Sequence, residues 1–244
     1  LVYVPASYTP GVPANIVYLT HGWWGTADGL AGGVAPIVDQ LTSAGSITPT
    51  IVVFATYYPD RSFATEDYED DYALNRFFAT TEIDTLIKTV ESHYTTFARG
   101  DTSDESLRAS RRHRAFGGFS MGATTTWDVF ALRPQYFYSY IPMAGESWIG
   151  REEDADSAQI AQLVTAGAER AHYGPQDFRI FASVGSLDPA LDDMSPQLAQ
   201  LRADYPDLMT DDSLQMWIDE GESHSMASVG NQVAHDLPLL FPPA

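Results

Sequence analysis

Gly118-Phe119-Ser120-Met121-Gly122 matches the pattern G-x-S-x-G, and its surroundings make the match informative. The apolar residues 115–119 predict a strand before the serine, and a helical pattern starts near Met121. Such a junction needs a tight turn, because a side chain at position 118 or 122 would collide with the neighbouring strand or helix. The pattern predicts that Ser120 is a nucleophile at a helix N-terminus, whose partial positive charge favours a developing anion. The alternative is a serine in an ordinary strand-to-helix turn.

Apolar, β-branched runs alternate with amphipathic segments on both sides of this motif. The alternation predicts an α/β fold, with a mostly parallel sheet covered by helices on both faces. The predicted strands are Ile16–Leu19, Ile51–Thr56, Arg114–Phe119, Ser139–Met143, Phe178–Val184 and Leu214–Ile218, and Leu1–Pro5 resembles a further strand. The predicted helices are Glu82–Tyr94, Ala123–Leu132, Ala158–Arg170, Ser195–Tyr205 and Ala227–Leu237. Pro59–Tyr72 and Gly145–Ser157 lack periodicity and follow strands, so we expect them to be binding loops.

Composition narrows the class of protein. The 244 residues show no linker or repeat, so we expect residues 1–244 to form one catalytic domain, processed or cut from a longer protein. A net charge of −20 repels phosphate backbones and anionic headgroups, so we expect neither nucleic acid nor membrane as a partner. The absence of cysteine excludes disulfides and a cysteine nucleophile. The acidic residues 66–71 lack the spacing of a calcium loop, so we expect no metal and no cofactor, although a cation at this loop stays open.

A serine hydroxyl needs a positioned base, and histidine is the commonest one. His172, His224 and His235 follow Ser120 in the chain. His224 lies in a small polar loop directly after a predicted strand, whereas His235 falls in the last helix and His172 precedes the next strand. We therefore predict that His224 is the base.

The acid is expected between the nucleophile and the histidine, on the loop after the preceding strand. Asp188 stands there, in Gly185-Ser186-Leu187-Asp188-Pro189, where the glycine permits a sharp turn. Asp192 and Asp193 are better explained as charges at a helix N-terminus. We predict that Asp188 orients the imidazole and stabilises its protonated form.

The oxyanion of the tetrahedral intermediate needs fixed hydrogen-bond donors. The residue after the nucleophile supplies one backbone N–H, here that of Met121. The second is expected from the loop after an early strand, where Thr20-His21-Gly22-Trp23-Trp24-Gly25 stands. We predict that Trp23 donates it from its main chain and that His21 orders the loop.

These separated pieces together resemble carbohydrate esterase family one, within the α/β-hydrolase superfamily. The pieces are Val2–Pro5, His21-Gly22, Gly118–Gly122, Pro142–Glu146, Gly185–Asp188 and Ser223-His224. That family includes feruloyl esterases and acetyl xylan esterases of plant cell-wall degradation and the broader esterase D group. The resemblance implies an α/β-hydrolase fold and a secreted serine carboxylic-ester hydrolase, often fused to xylanase, carbohydrate-binding or dockerin modules. The family's nucleophile, acid and base carry over onto Ser120, Asp188 and His224.

Aromatic residues crowd the predicted rim, and such faces stack on phenolic rings and sugars. They favour feruloyl esters of arabinoxylan as substrates. We expect Trp24, Trp148, Tyr57 and Glu146 to contact the substrate, although a solvated Glu146 is the simpler interpretation. The two tryptophans after His-Gly and the acidic loop depart from the family pattern. Three alternatives stay open: an acetyl xylan esterase or general carboxylesterase, an acyltransferase, and a non-catalytic carbohydrate-binding module on a hydrolase scaffold.

Overall fold

A seven-stranded sheet organises the computed structural model, which describes residues 1–241. In spatial order the strands run β1-β3-β2-β4-β5-β6-β7, and every pair is parallel except β1 with β3. Their bounds are β1 Val2–Tyr3, β2 Asn15–Thr20, β3 Thr50–Ala55, β4 Arg114–Phe119, β5 Ser139–Met143, β6 Arg179–Gly185 and β7 Leu214–Asp219. Because the six longer strands point the same way, their carboxyl ends meet at one edge of the sheet.

Eight α-helices cover both faces of this sheet in the described part of the chain. They are α1 Ala27–Ser43, α2 Tyr72–Phe77, α3 Ile83–His93, α4 Asp104–Ala109, α5 Met121–Leu132, α6 Ser157–Arg170, α7 Leu191–Asp204 and α8 Met226–Leu240. A π-helical turn at 78–82 joins α2 to α3. None of the helices in residues 1–241 has the length and apolarity that a membrane crossing requires.

Alternate residues of each strand face opposite cores, as the two-residue period of a strand requires. Val17 and Leu19 of β2 pack beneath α1 and α8, whereas Ile16 and Tyr18 face the core formed with α3, α5, α6 and α7. Since both faces are covered, β2 is buried along its whole length. This burial explains why the central strands read as continuous apolar runs.

The predicted strands are confirmed, with two matching at both ends and the others shifted by one or two residues at their ends. Sequence periodicity missed α1, which carries Gly29, Gly32, Gly33 and Pro36. These residues disfavour a helix interior. Tertiary packing explains the helix nonetheless, because its apolar side is buried against the sheet and α8.

Candidate active site

Ser120 occupies a strained turn between β4 and α5. Its backbone angles are φ 58° and ψ −119°, a conformation that costs a non-glycine residue free energy and persists only where the surroundings enforce it. The Ser120 N–H donates to the Met143 carbonyl at 2.8 Å, which holds the turn against β5. A Cβ at Gly118 would lie 2.4 Å from Thr20 Oγ1, and one at Gly122 would lie 2.4 Å from the Thr20 carbonyl oxygen. Both glycines are therefore required by the close approach of β2.

Asp188 and His224 come together at the carboxyl ends of β6 and β7. The His224 Nδ1 lies 3.0 and 2.9 Å from the two carboxylate oxygens of Asp188. The Asp188 side chain is fully buried and also accepts the Ala190 N–H at 2.9 Å, so its orientation is fixed. The imidazole remains partly exposed. A carboxylate at Nδ1 requires the proton on that nitrogen, which leaves Nε2 as the free acceptor.

The loops that carry these two residues are joined by their backbones. The Ser186 N–H donates to the Asp219 carbonyl at 2.9 Å, and the Leu187 N–H donates to the Glu222 carbonyl at 2.8 Å. A Cβ at Gly185 would lie 2.3 Å from the Glu222 carbonyl oxygen, so only glycine permits this approach. The acid and the histidine are therefore held by a common pair of loops.

Phe119 places the end of the nucleophile strand beside the histidine. Its ring centroid lies 4.4 Å from that of the His224 imidazole. Within residues 1–241, no hydrogen bond joins the Ser120 hydroxyl to the His224 ring. Hydrogen bonds between nucleophile and base are often long in free enzymes and shorten when substrate binds.

The residues predicted to supply the oxyanion donors lie close to Ser120. Met121 is the first residue of α5, and a Cβ on Gly22, the residue before Trp23, would lie 3.1 Å from Ser120 Cβ. In the described part of the chain, neither the Met121 nor the Trp23 backbone N–H donates to another protein group. The arrangement leaves both donors available to an anion beside the serine.

His21 and Tyr57 support the loop that carries Trp23. The His21 ring contacts the Gly22 carbonyl and Thr56 Oγ1, each at 2.8 Å, and burial lowers the pKa of the imidazole. This fits its predicted role in ordering the loop. Tyr57 is only 2% exposed and its hydroxyl donates to the His21 carbonyl at 3.0 Å. Tyr57 is therefore a buried support of this loop, and its predicted contact with substrate stays a prediction.

Aromatic rings extend from Trp24 to Trp148. The ring centroid of Trp23 lies 6.0 Å from that of Trp24 and 5.8 Å from that of Tyr68. The ring centroids of Tyr68 and Trp148 are 5.5 Å apart. Trp24 is 44% exposed, whereas Trp148 is 8% exposed. Trp24 is thus open to a ligand, whereas Trp148 is largely buried.

Glu146 is not the solvated carboxylate of the simpler interpretation. Its carboxylate accepts a hydrogen bond from the Trp148 indole, and burial raises its pKa. The Glu146 carbonyl accepts the Thr124 hydroxyl of α5 at 3.2 Å. The contact that we predicted between Glu146 and substrate stays a prediction, with the carboxylate now placed beside Trp148.

Hydrogen bonds and an ion pair hold the acidic segment 66–71 in place. Asp71 is buried and accepts hydrogen bonds from the Tyr58 hydroxyl and from the Thr65 N–H. Glu69 pairs with Arg151, which joins this segment to the loop after Trp148. Among residues 1–241, no three His, Cys, Asp or Glu side chains are grouped as a metal site requires.

Sequence reasoning missed several residues that shape the site. Asn75 donates to the Met121 carbonyl at 3.0 Å, and the Ser147 N–H donates to Gln197 Oε1 at 2.6 Å. No sequence pattern marks Asn75 or Gln197, because each reaches the site from a helix that is distant in sequence. Phe119 and Met226 could have been found from the sequence, since each lies within two residues of a predicted catalytic residue.

The chain is similar to known esterases and xylanases. Residues 1–229 match the model of the family described as "Putative esterase". The chain is 29% identical over 247 residues to endo-1,4-beta-xylanase Y of Acetivibrio thermocellus, and 28% identical over 162 residues to an endo-1,4-beta-xylanase/feruloyl esterase of Xylanibacter ruminicola. These alignments cover 98% and 62% of this chain but only 21% and 20% of the relatives. The chain thus spans about a fifth of the length of the curated relatives that it matches.

The fold is similar to that of a solved structure over nearly the whole chain. A serine-to-alanine mutant of the feruloyl esterase module from Clostridium thermocellum, complexed with sinapinate, is 29% identical and superposes with a TM-score of 0.85. The alignment covers 98% of this chain and 81% of that one. The fold is therefore that of α/β-hydrolase esterases.

Proposed function

The chain belongs to the esterase family whose model it matches, and on that premise we propose that it hydrolyses feruloyl esters of plant cell-wall arabinoxylan. The observation that carries the proposal is the fixed Asp188–His224 pair beside the glycine-framed turn of Ser120. The similarity to a feruloyl esterase module supports the acyl group. The aromatic rings of Trp23, Tyr68 and Trp148 fit a phenolic acid better than a bare acetyl group.

The proposed reaction has two steps. The His224 Nε2 takes the proton of Ser120 while the serine oxygen attacks the ester carbonyl carbon. The N–H groups of Met121 and Trp23 donate to the oxyanion, and one such donor lowers the barrier by roughly 3–4 kcal/mol. The intermediate then breaks its bond to the sugar oxygen, which takes the proton from His224 and leaves as a hydroxyl group. Water gives a proton to the same imidazole as it attacks the acyl-enzyme. The second intermediate breaks its bond to the Ser120 oxygen, which regains the proton from His224, and the free acid is released.

Asp188 has a supporting role throughout. Its buried carboxylate holds the imidazole in one tautomer and stabilises the positive charge that forms during each step. It does not take up a proton itself.

A substrate panel tests the proposal. Methyl ferulate, acetylated xylan, p-nitrophenyl acetate and a feruloylated arabinoxylan oligosaccharide are assayed with the wild type and with Ser120→Ala. We expect the feruloyl esters to give the highest kcat/KM, and Ser120→Ala to reduce turnover by several orders of magnitude.

The panel also distinguishes the alternatives. Preference for acetylated xylan would make the chain an acetyl xylan esterase, and equal rates on all esters would make it a general carboxylesterase. Transfer of the feruloyl group to an added sugar in preference to water would make it an acyltransferase. Failure to hydrolyse any ester while xylan binding persists would favour a non-catalytic module.

The setting of the enzyme is part of the proposal. One matched relative is named as a xylanase and the other as a xylanase/feruloyl esterase, and this chain covers about a fifth of each. We infer that residues 1–244 are one catalytic domain, which acts outside the cell beside xylanase or carbohydrate-binding modules. Detection of the activity in culture supernatant on a larger polypeptide is the test.

A further inference from the structure

A cavity of about 440 Å³ lies between the loop after β2 and the loop after β7. Its volume falls within the range of small-molecule sites, roughly 300–1,000 Å³. Trp24, Met226, Leu30 and Phe119 contribute apolar lining, and His224 also lines the cavity. The acyl-side aromatic residues Tyr68 and Trp148 do not line it.

The position of His224 decides which part of an ester this cavity can hold. In the first step the imidazole protonates the departing alcohol oxygen, so the alcohol portion must lie beside His224. The cavity is lined both by His224 and by the loop residues His21, Gly22 and Trp23, which border the nucleophile. The acyl portion is expected on the other side, towards the cluster of Trp23, Tyr68 and Trp148.

Trp24 offers a single, immobilised aromatic face. The Arg61 guanidinium lies over its ring, 4.4 Å from the centroid, and Arg61 also donates to the Trp24 carbonyl. The Trp24 indole N–H donates to the Thr65 carbonyl at 3.2 Å. These contacts fix the ring before a ligand arrives, which reduces the entropy lost on binding. Trp24 and Met226 nevertheless remain 44% and 48% exposed.

The charge of the lining points to an uncharged ligand. The chain carries a net charge of −20, yet no aspartate, glutamate, lysine or arginine side chain lines this cavity among residues 1–241. Thr26 and Ser225 supply hydroxyl groups at its edge. An aromatic face, a thioether and a few hydroxyl groups suit the apolar face and the hydroxyls of a neutral sugar.

We propose that this cavity binds the neutral pentose of the alcohol portion, with Trp24 as its stacking platform and Met226 as a further apolar contact. The inference rests on the proposed esterase function and adds the site for the sugar. Trp24 is therefore a specificity-determining residue, which discriminates esters of sugars from esters of small alcohols.

The test compares two substrates that share the acyl group. The ratio of kcat/KM for a feruloylated arabinoxylan trisaccharide to kcat/KM for methyl ferulate is measured in the wild type, Trp24→Ala, Trp24→Phe and Met226→Ala. We expect Trp24→Ala to lower this ratio about 3- to 10-fold, mainly through KM, because one stacking contact is lost. Trp24→Phe should restore most of the ratio, and Met226→Ala should lower it less.

Phe97→Ala is the matched control, because Phe97 is another exposed aromatic residue, at the opposite end of β2, and stacks on His113. Its ratio should equal that of the wild type. An unchanged ratio in both Trp24→Ala and Met226→Ala would overturn the inference, and an equal loss on both substrates would assign the cavity to the acyl group. If the wild type hydrolyses no feruloyl ester at all, the proposed function fails as well, whereas normal methyl ferulate hydrolysis with an unchanged ratio removes only the sugar site.

Discussion

Adding one methyl group at Gly185 should separate Asp188 from His224. The new Cβ would lie 2.3 Å from the Glu222 carbonyl oxygen, whereas ordinary contact begins near 3.4 Å. Glu222 must therefore retreat by about 1.1 Å, the difference between these distances. If His224 moves with it, the 2.9 Å contact to Asp188 lengthens to about 4 Å and is no longer a hydrogen bond.

This displacement sets the expected loss of activity. A misplacement of about 1 Å in an active site costs roughly 10²-fold, and loss of a charged hydrogen bond costs about 1.5–3 kcal/mol, which is of the same order. We expect kcat/KM of Gly185→Ala on methyl ferulate to fall about 10²-fold. Circular dichroism and thermal unfolding establish that the variant is folded.

Gly32→Ala is the matched control for Gly185→Ala. Gly32 is exposed within α1, and a Cβ there meets nothing within 4 Å. The control should retain full activity and gain about 0.5–1 kcal/mol of stability. A folded Gly185→Ala variant whose kcat/KM stays within about threefold of the wild type would refute the reasoning.

Three other substitutions give separate tests. Asp188→Asn should lower kcat by about 10⁴-fold in stopped or steady-state assays with little change in KM, because the imidazole loses its correct tautomer; a loss below about tenfold would contradict its role. Burial raises the pKa of Asp128 to about 6. Between about pH 4 and 6 the folded protein therefore retains a proton that the unfolded chain has released. The free energy of unfolding falls as pH rises through that window. In urea denaturation, the wild type should therefore lose up to about 3 kcal/mol relative to Asp128→Asn between pH 4 and 7, and parallel pH profiles would contradict this. Glu91→Gln should lower the free energy of unfolding by about 3–5 kcal/mol in the same assay, because it leaves the buried Arg114 guanidinium without its carboxylate. A loss under about 1 kcal/mol would show that the ion pair is dispensable.

The strands and the order of the loops could be predicted because burial on both faces leaves a direct trace in sequence. β4 and β5 match the predicted bounds at both ends, since each begins with one polar residue and continues as a mainly apolar run. The loops after β4, β6 and β7 follow from that assignment, so the positions of Ser120, Asp188 and His224 needed no long-range information.

Side-chain exposure could not be predicted in the same way. Tyr57 and Trp24 both follow strands in aromatic loops, yet one is buried beneath His21 and the other is open. Tyr57 is buried against His21, whereas the Trp24 ring is held at the surface by Arg61 and Thr65, which are distant from it in sequence. Helix α1 was missed for a related reason, since its stability comes from packing and its own residues disfavour a helix.

Ser120 and His224, the proposed nucleophile and base, are held by strands of unequal stability. β4 lies in the middle of the sheet, between β2 and β5, whereas β7, within residues 1–241, is a terminal strand that pairs with β6 alone. Terminal strands with partly solvated residues open at lower free energy than interior ones. Gentle warming should therefore detach the imidazole while the serine stays in place. Hydrolysis would then cease several degrees before the bulk of the molecule melts, and brief cooling would restore it.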